Sequence, residues 1–158
     1  MNDVTARPNN LPWPPIIYLA AIAVGFLSNV SYPLPWFGQP LSSILIVLGW
    51  LMIAAFVALN ISAIRAMRRA GTTVRPDRAT DRLVTDGPFS FTRNPLYLAG
   101  TMLVLGIGLV SGILWFLLLA ILAAFIVQKV AIEREERHLQ LRFGEIYLNY
   151  ARRVRRWI

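Results

Sequence analysis

Long apolar runs dominate the pattern along the chain. Residues 16–30 and 41–64 contain only scattered Ser, Gly and Asn among apolar side chains, and residues 96–110 and 113–132 carry no charge before Lys129. Runs of this length can cross a bilayer as helices. The alternation typical of barrel strands is missing, and a helix satisfies its own backbone hydrogen bonds in lipid. The pattern therefore predicts an all-α integral membrane protein with four transmembrane helices.

The chain after the fourth run has a different pattern. Apolar residues there recur every three or four positions, which is typical of a helix with one apolar face and charged faces elsewhere. These residues are Leu139, Phe143, Ile146, Tyr147 and Tyr150. We expect a C-terminal interfacial helix that lies on the cytoplasmic side, folds back on the bundle, and is bent or interrupted at Gly144.

The turns between these elements predict a single domain over residues 1–158. Ser111-Gly112 separates the last two runs and indicates a tight helical hairpin. The predicted parts are an N-terminal tail (1–15), two spans (16–66), a cytoplasmic loop (67–94), the hairpin (95–132) and the C-terminal helix and tail (133–158). A signal peptide is the alternative for the first thirty residues, but prolines precede the apolar run and no small-residue cleavage site follows it.

The basic residues are distributed unevenly. The chain of 158 residues has 16 Lys and Arg against 8 Asp and Glu, yet 56% of its residues are hydrophobic. Arginines cluster in residues 65–93 and 134–156, and the two other connections have none. The positive-inside rule then predicts a cytoplasmic middle loop and C-terminus, and four spans place the N-terminus on the same side, in the inner membrane if the source is bacterial. The charge indicates contact with membrane lipids rather than nucleic acid, and it gives no oligomeric state.

Few of the side chains that commonly act in catalysis or bind metals are present in the chain. The chain has no cysteine and one histidine, which excludes a disulfide scaffold, thiol catalysis and the usual structural zinc sites. The first candidate segment is LVTDGPFSFTRNPLYLAG, residues 83–100. Pro95 suits the opening turn of the third span and Asn94 suits its N-cap. Arg93 lies beside the free backbone N–H groups of that helix start, an arrangement that can bind a carboxylate.

The second candidate segment is KVAIEREERHLQLRFG, residues 129–144. On a helix Lys129, Glu133 and Glu136 share a face, and Glu135 flanks it. Carboxylates at a membrane boundary can hold an ammonium group and stabilise a sulfonium by Coulomb attraction. The alternative is structural, with a Lys-Glu pair and solvated acids where the helix leaves the membrane.

Taken in order, the GPF and RNPLY motifs, the Glu-Glu pair, FG and YxxY resemble the C-terminal half of the isoprenylcysteine carboxyl methyltransferase family. That family also resembles the phospholipid N-methyltransferases, and the similarity extends from about Gly71 to Ile158. The resemblance implies an integral membrane enzyme that takes a methyl group from S-adenosylmethionine at the cytoplasmic side. Its acceptor would be a lipid-like or prenylated small molecule, most simply a carboxylate.

The resemblance also implies site residues and no metal. Arg93 and Lys129 would be catalytic. The cofactor-binding residues would be Gly87, Pro88, Asn94, Pro95, Leu96, Tyr97, Gly100, Glu135, Glu136 and Tyr147. Asn94 stands where the family commonly has histidine, and an amide cannot titrate near neutral pH.

Three alternatives remain open at the level of sequence. A phospholipid or amine N-methyltransferase fits the same architecture. Membrane sterol or enone reductases, which use NADPH, resemble the same C-terminal pattern. A non-catalytic membrane adaptor could use its arginines to bind anionic lipid.

Overall fold

The computed structural model describes residues 13–71 and 82–158, and every regular element in them is helical. The α-helices are α1 (Trp13–Ser31), α2 (Leu41–Arg69), α3 (Pro95–Ser111), α4 (Trp115–Val127), α5 (Glu133–Phe143) and α6 (Glu145–Arg153). A 3₁₀ turn covers Gly87–Ser90 and a π-helical turn covers Gln128–Ile132. The all-α prediction is confirmed for the described residues.

The fourth predicted span and the C-terminal helix are joined without a break. α4, the π turn and α5 form one helix from Trp115 to Phe143, so no break in the helix marks the predicted boundary between residues 132 and 133, which stays a prediction. The helix continues because its i→i+5 turn carries the backbone through this region with its hydrogen bonds intact. It ends at Gly144, whose φ of +52° is unfavourable for other residues, and this confirms the predicted interruption.

Within residues 13–71 and 82–158, three helices are long and apolar enough to cross a membrane: Pro14–Ser31, Leu41–Arg69 and Trp115–Phe143. α3 is equally apolar but has 17 residues. The four-span arrangement therefore stays a prediction. Most of α2 is not covered by other helices, and side chains such as Trp50 and Leu51 are exposed, as expected for a surface that faces lipid.

Small residues let the helices approach closely. A Cβ atom on Gly49 of α2 would lie 2.9 Å from the carbonyl oxygen of Gly106 in α3, and the reverse distance is the same. α1 and α3 both pack against α4, where Phe116 is fully buried in the core. Gly112 caps α3 at φ +69° and reverses the chain, which confirms the predicted hairpin.

The C-terminal helix folds back on the bundle through a second apolar cluster. Tyr147, Tyr150 and Val154 are buried there, with Leu139 and Phe143 packed against them. Ile146, which the sequence pattern grouped with these residues, is 69% exposed and does not belong to this cluster. The break at Gly144 restarts the helix in a new direction, and residues on either side of it no longer share one face.

Candidate functional site

The loop before α3 is fastened to the C-terminal segment, residues 154–157. The backbone N–H of Arg93 donates to the carbonyl of Arg155 over 2.9 Å. The hydroxyl of Thr92 and the side-chain amide of Asn94 both donate to the carbonyl of Arg156, over 3.2 and 2.9 Å. These bonds join two parts of the chain about sixty residues apart, and they hold the backbone of Arg93 in position.

Asn94 has a different local role from the predicted one. It occupies the N-cap position before Pro95, but its side chain makes no capping hydrogen bond. The amide turns instead to the carbonyl of Arg156, and Asn94 is buried. The capping prediction is therefore wrong for the side chain. Capping would use the amide oxygen to accept from a backbone N–H of the helix, whereas the amide is oriented so that its own N–H donates to a distant carbonyl.

A cleft of about 520 Å³, including its solvent-open mouth, lies between the end of α2, this loop, α5 and α6. Its apolar wall is formed by Met67, Leu83, Val84, Phe89 and Leu139. Its polar wall is formed by Arg93, Asn94, Glu135, Glu136, Tyr147 and Tyr150. Five of these polar residues are ones that the sequence resemblance named, and the fold brings them together from three separate parts of the chain.

Two arginines meet at Glu136. Arg156 donates to both carboxylate oxygens, from Nε over 2.9 Å and from Nη2 over 2.7 Å. Arg93 approaches the same carboxylate at 3.4 Å through Nη1, which also donates to the Tyr147 hydroxyl over 3.2 Å. The Nε of Arg93 is buried and has no hydrogen-bond partner among the described residues. Arg93 thus lines the cleft and has one side-chain nitrogen for which no described residue provides an acceptor.

Glu135 has a different environment from its neighbour. Its Oε2 accepts a hydrogen bond from the Tyr97 hydroxyl over 2.8 Å. In the part of the chain that the structure describes, no arginine or lysine lies within ion-pair distance of Glu135. A carboxylate that lines a cleft with a neutral partner alone is suited to receive a cationic group from a ligand.

The tyrosines of α6 remain neutral donors or acceptors at physiological pH. Burial raises the pKa of Tyr147, and the nearby charge of Glu136 adds to the effect. Burial also raises the pKa of Tyr150, whose hydroxyl donates to the carbonyl of Phe89 over 2.7 Å. The hydrogen bond from Arg156 to Glu136 raises the pKa of Arg156 further, so this guanidinium is permanently charged.

Several residues named from the sequence lie outside the cleft lining. Lys129 is half exposed and forms an ion pair with Glu133 over 2.7 Å, which is the structural alternative considered for this segment. Tyr97 reaches the cleft only through Glu135. The others support the loop and the start of α3: Gly87, Pro88, Pro95, Leu96 and Gly100. At Gly100 a Cβ atom would lie 2.5 Å from the ring of Tyr18, so this glycine serves helix packing.

Sequence reasoning missed Arg156. It was one of several arginines in the RRVRRW end, which suggested lipid contact for all of them. In the structure Val154 is buried in an extended conformation, and this burial is not evident from the sequence. Because side chains alternate in extended backbone, a buried residue at 154 places residue 156 on the same inward side.

The comparisons with known proteins agree with this architecture. A family model described as phospholipid methyltransferase matches residues 44–146, more than half of the chain. The chain therefore belongs to the phospholipid methyltransferase family and is a membrane methyltransferase. No match was found among curated proteins or among solved structures. The motif resemblance is confirmed at the level of this broader family, and the match does not single out the isoprenylcysteine enzymes.

Proposed function

We propose that this membrane methyltransferase binds S-adenosylmethionine in the cleft and methylates an amphipathic carboxylate, as isoprenylcysteine methyltransferases do. The observation that carries the proposal is that one cleft is lined by a carboxylate without a cationic partner and by a guanidinium with one unpartnered nitrogen. Glu135 has no cationic partner among the described residues, and Arg93 has a buried Nε without an acceptor. A cleft that offers both groups suits a ligand set with both positive and negative charges.

The lining residues fit the proposed cofactor. S-adenosylmethionine carries an ammonium, a sulfonium, a carboxylate and an aromatic base. Glu135 would hold the cationic end by Coulomb attraction. Phe89 and the edge-to-face pair of Tyr147 and Tyr150 offer aromatic surface for the base. When bound, the cofactor supplies a methyl group already activated by the sulfonium charge, so the protein need only bind, orient and exclude water.

The acceptor side of the cleft supports a carboxylate. Arg93 presents a planar guanidinium, which binds carboxylates better than an ammonium does. An ionised carboxylate reacts through an oxygen lone pair and releases no proton, so no base is required. Asn94, which cannot titrate, is compatible with that chemistry. The apolar wall at Met67, Leu83 and Leu139 would contact the hydrocarbon part of the acceptor.

The membrane arrangement belongs to the same proposal. We place α3 across the bilayer as a fourth span, since its 17 residues extend about 26 Å at 1.5 Å per residue and a modest mismatch costs little. The cleft then opens on the cytoplasmic side, where the arginines cluster. The end of α2 at Met67 lies at the membrane boundary, and an acceptor could keep its tail in lipid while its head group enters the cleft.

A second candidate is N-methylation of a phospholipid amine. Glu135 favours it, because a carboxylate without a cation can hold an ammonium head group and accept the proton that an amine must lose. The test is methyl transfer from labelled S-adenosylmethionine, using the purified full chain in lipid nanodiscs. The panel contains a prenylcysteine, phosphatidylethanolamine and a fatty acid. Preference for the prenylcysteine or fatty acid supports the first proposal, and preference for the amine supports the second.

The same preparation tests the remaining alternatives. Calorimetric titration with S-adenosylhomocysteine and separately with NADPH distinguishes a methyltransferase from a reductase. Binding of NADPH alone would overturn the proposed cofactor. A protein that binds neither molecule and transfers no methyl group would be the lipid-binding adaptor instead.

A further inference from the structure

The C-terminal segment, residues 154–157, is hydrogen-bonded to two of the elements that form the site. Its backbone carbonyls accept hydrogen bonds from the loop before α3. Trp157 donates from its indole N–H to the side chain of Gln128, in the π turn, over 2.8 Å. Val154 is buried. The segment is thus held on the loop at one side and on the α4–α5 helix at the other, with Arg156 between these attachments.

Arg156 is the principal partner of Glu136. It donates to both carboxylate oxygens at 2.9 and 2.7 Å, whereas Arg93 reaches only one of them, at 3.4 Å. The two-pronged geometry is the strongest arrangement for a guanidinium and a carboxylate. Two guanidiniums sharing one carboxylate leave an excess positive charge. Because Arg156 occupies Glu136, that excess resides on Arg93, whose Nε has no acceptor in the described residues.

We propose that Arg156 is a positioning residue: it holds Glu136 as its own counterion and so leaves Arg93 free to bind a ligand carboxylate. The inference rests on the proposed function and adds a residue to it, beyond the family match, which ends at residue 146. Without Arg156, Glu136 would pair with Arg93 alone and cancel its charge. The ligand carboxylate that binds Arg93 belongs to either the cofactor or the acceptor, and the experiment has one arm for each source.

The experiment compares Arg156→Ala with the parental full chain in nanodiscs. The affinities of S-adenosylhomocysteine and of its decarboxylated analogue are measured by calorimetry, and steady-state kinetics use the acceptor that the parental protein methylates best. If the cofactor carboxylate binds Arg93, the variant loses about tenfold in affinity for S-adenosylhomocysteine and little for the analogue. If an acceptor carboxylate binds there, its KM rises about tenfold while cofactor affinity is kept. Parental values in both arms overturn the inference.

Two further comparisons exclude a merely structural role. Arg152→Ala is the matched control, because Arg152 is exposed and its guanidinium donates to the side chain of Asn149, which is not part of the cleft lining. It should behave as the parent. Arg156→Gln is compared with Arg156→Gln combined with Glu136→Gln, which removes the carboxylate that would otherwise neutralise Arg93. Partial recovery of carboxylate binding in the double variant supports the inference, and equal loss in both variants overturns it.

The design also separates failure of this inference from failure of the proposed function. A parental protein that binds no S-adenosylhomocysteine defeats the proposed function and the inference with it. A parental protein that binds it, beside Arg156 variants that bind it and the acceptor equally well, defeats the inference alone. If Arg156→Ala does not fold, the glutamine variants supply the same comparison with a side chain of similar length.

Discussion

Glu135 and Glu136 are adjacent in the sequence, yet the partner of Glu135 is neutral and the partners of Glu136 are positively charged. Glu136 accepts two hydrogen bonds from Arg156 and is approached by Arg93, whereas Glu135 accepts one from the neutral hydroxyl of Tyr97. Successive residues on a helix point about 100° apart, so neighbouring side chains meet different elements. The two carboxylates therefore lie in different environments: Glu136 is paired with guanidiniums, and Glu135 has a neutral hydrogen-bond donor.

The first prediction concerns Glu135. Glu135→Gln should weaken S-adenosylhomocysteine binding by about tenfold or more, because the amide keeps the bond to Tyr97 but lacks the charge that attracts a cation. Calorimetry on the purified variant measures the change. Glu145→Gln is the control, since Glu145 is exposed at the start of α6. Parental affinity in Glu135→Gln would remove this carboxylate from the cofactor site.

The second prediction concerns Arg93. Arg93→Ala should lower kcat/KM for methyl transfer by about a hundredfold. The substitution removes the guanidinium, its ion pair with Glu136 and its hydrogen bond to Tyr147. Arg93→Lys should recover part of this activity, because lysine restores the charge without the planar fork. Initial rates with labelled cofactor measure both variants. A folded Arg93→Ala protein with the parental rate would show that Arg93 does not act on the ligands.

The third prediction concerns Lys129, for which the sequence resemblance implied a catalytic role. Its ion pair with Glu133 is exposed to solvent and lies outside the cleft lining, and such pairs contribute little. Lys129→Ala should therefore change the acceptor KM by less than about threefold. A tenfold rise, with cofactor affinity unchanged, would instead support the role inferred from the sequence.

The fourth prediction concerns Tyr18 in α1. Its hydroxyl donates to the carbonyl of Tyr97 and contacts the hydroxyl of Thr101, at 2.8 and 2.9 Å. Tyr18→Phe removes these bonds and should lower the stability of the fold by about 1 kcal/mol, measured by thermal unfolding in detergent. Tyr32→Phe should leave the melting temperature unchanged, because the Tyr32 side chain is exposed. Equal melting temperatures for the two variants would contradict the role of Tyr18.

The fifth prediction is a pH dependence. The pKa of Tyr147 is raised in the folded chain, so folding favours its neutral form. This contribution is complete below the unfolded pKa of about 10 and is lost as pH rises through the folded value. The melting temperature should fall as pH rises above about 10, and more steeply for the parent than for Tyr147→Phe. Parallel pH curves for the two proteins would contradict the assignment.

Part of the site was predictable because it depends on where residues stand along the chain relative to the apolar helices. Arg93, Asn94 and Pro95 precede an apolar helix, and the two glutamates follow another, so both groups had to lie near one end of the bundle. Arg156 and the apolar lining at Met67 and Leu83 were not predictable, since nothing in their sequence neighbourhood distinguishes them from residues facing lipid or solvent.

The sequence by itself determined the helical class, the tight turn at Gly112 and the interruption at Gly144, because hydrophobic run length and the backbone freedom of glycine act locally. Tertiary structure alone decided which carboxylate has a counterion and where the Asn94 amide donates. Those outcomes depend on competition among partners distant in the chain, and only the packing of the C-terminal segment against the loop before α3 settles which partner is nearest.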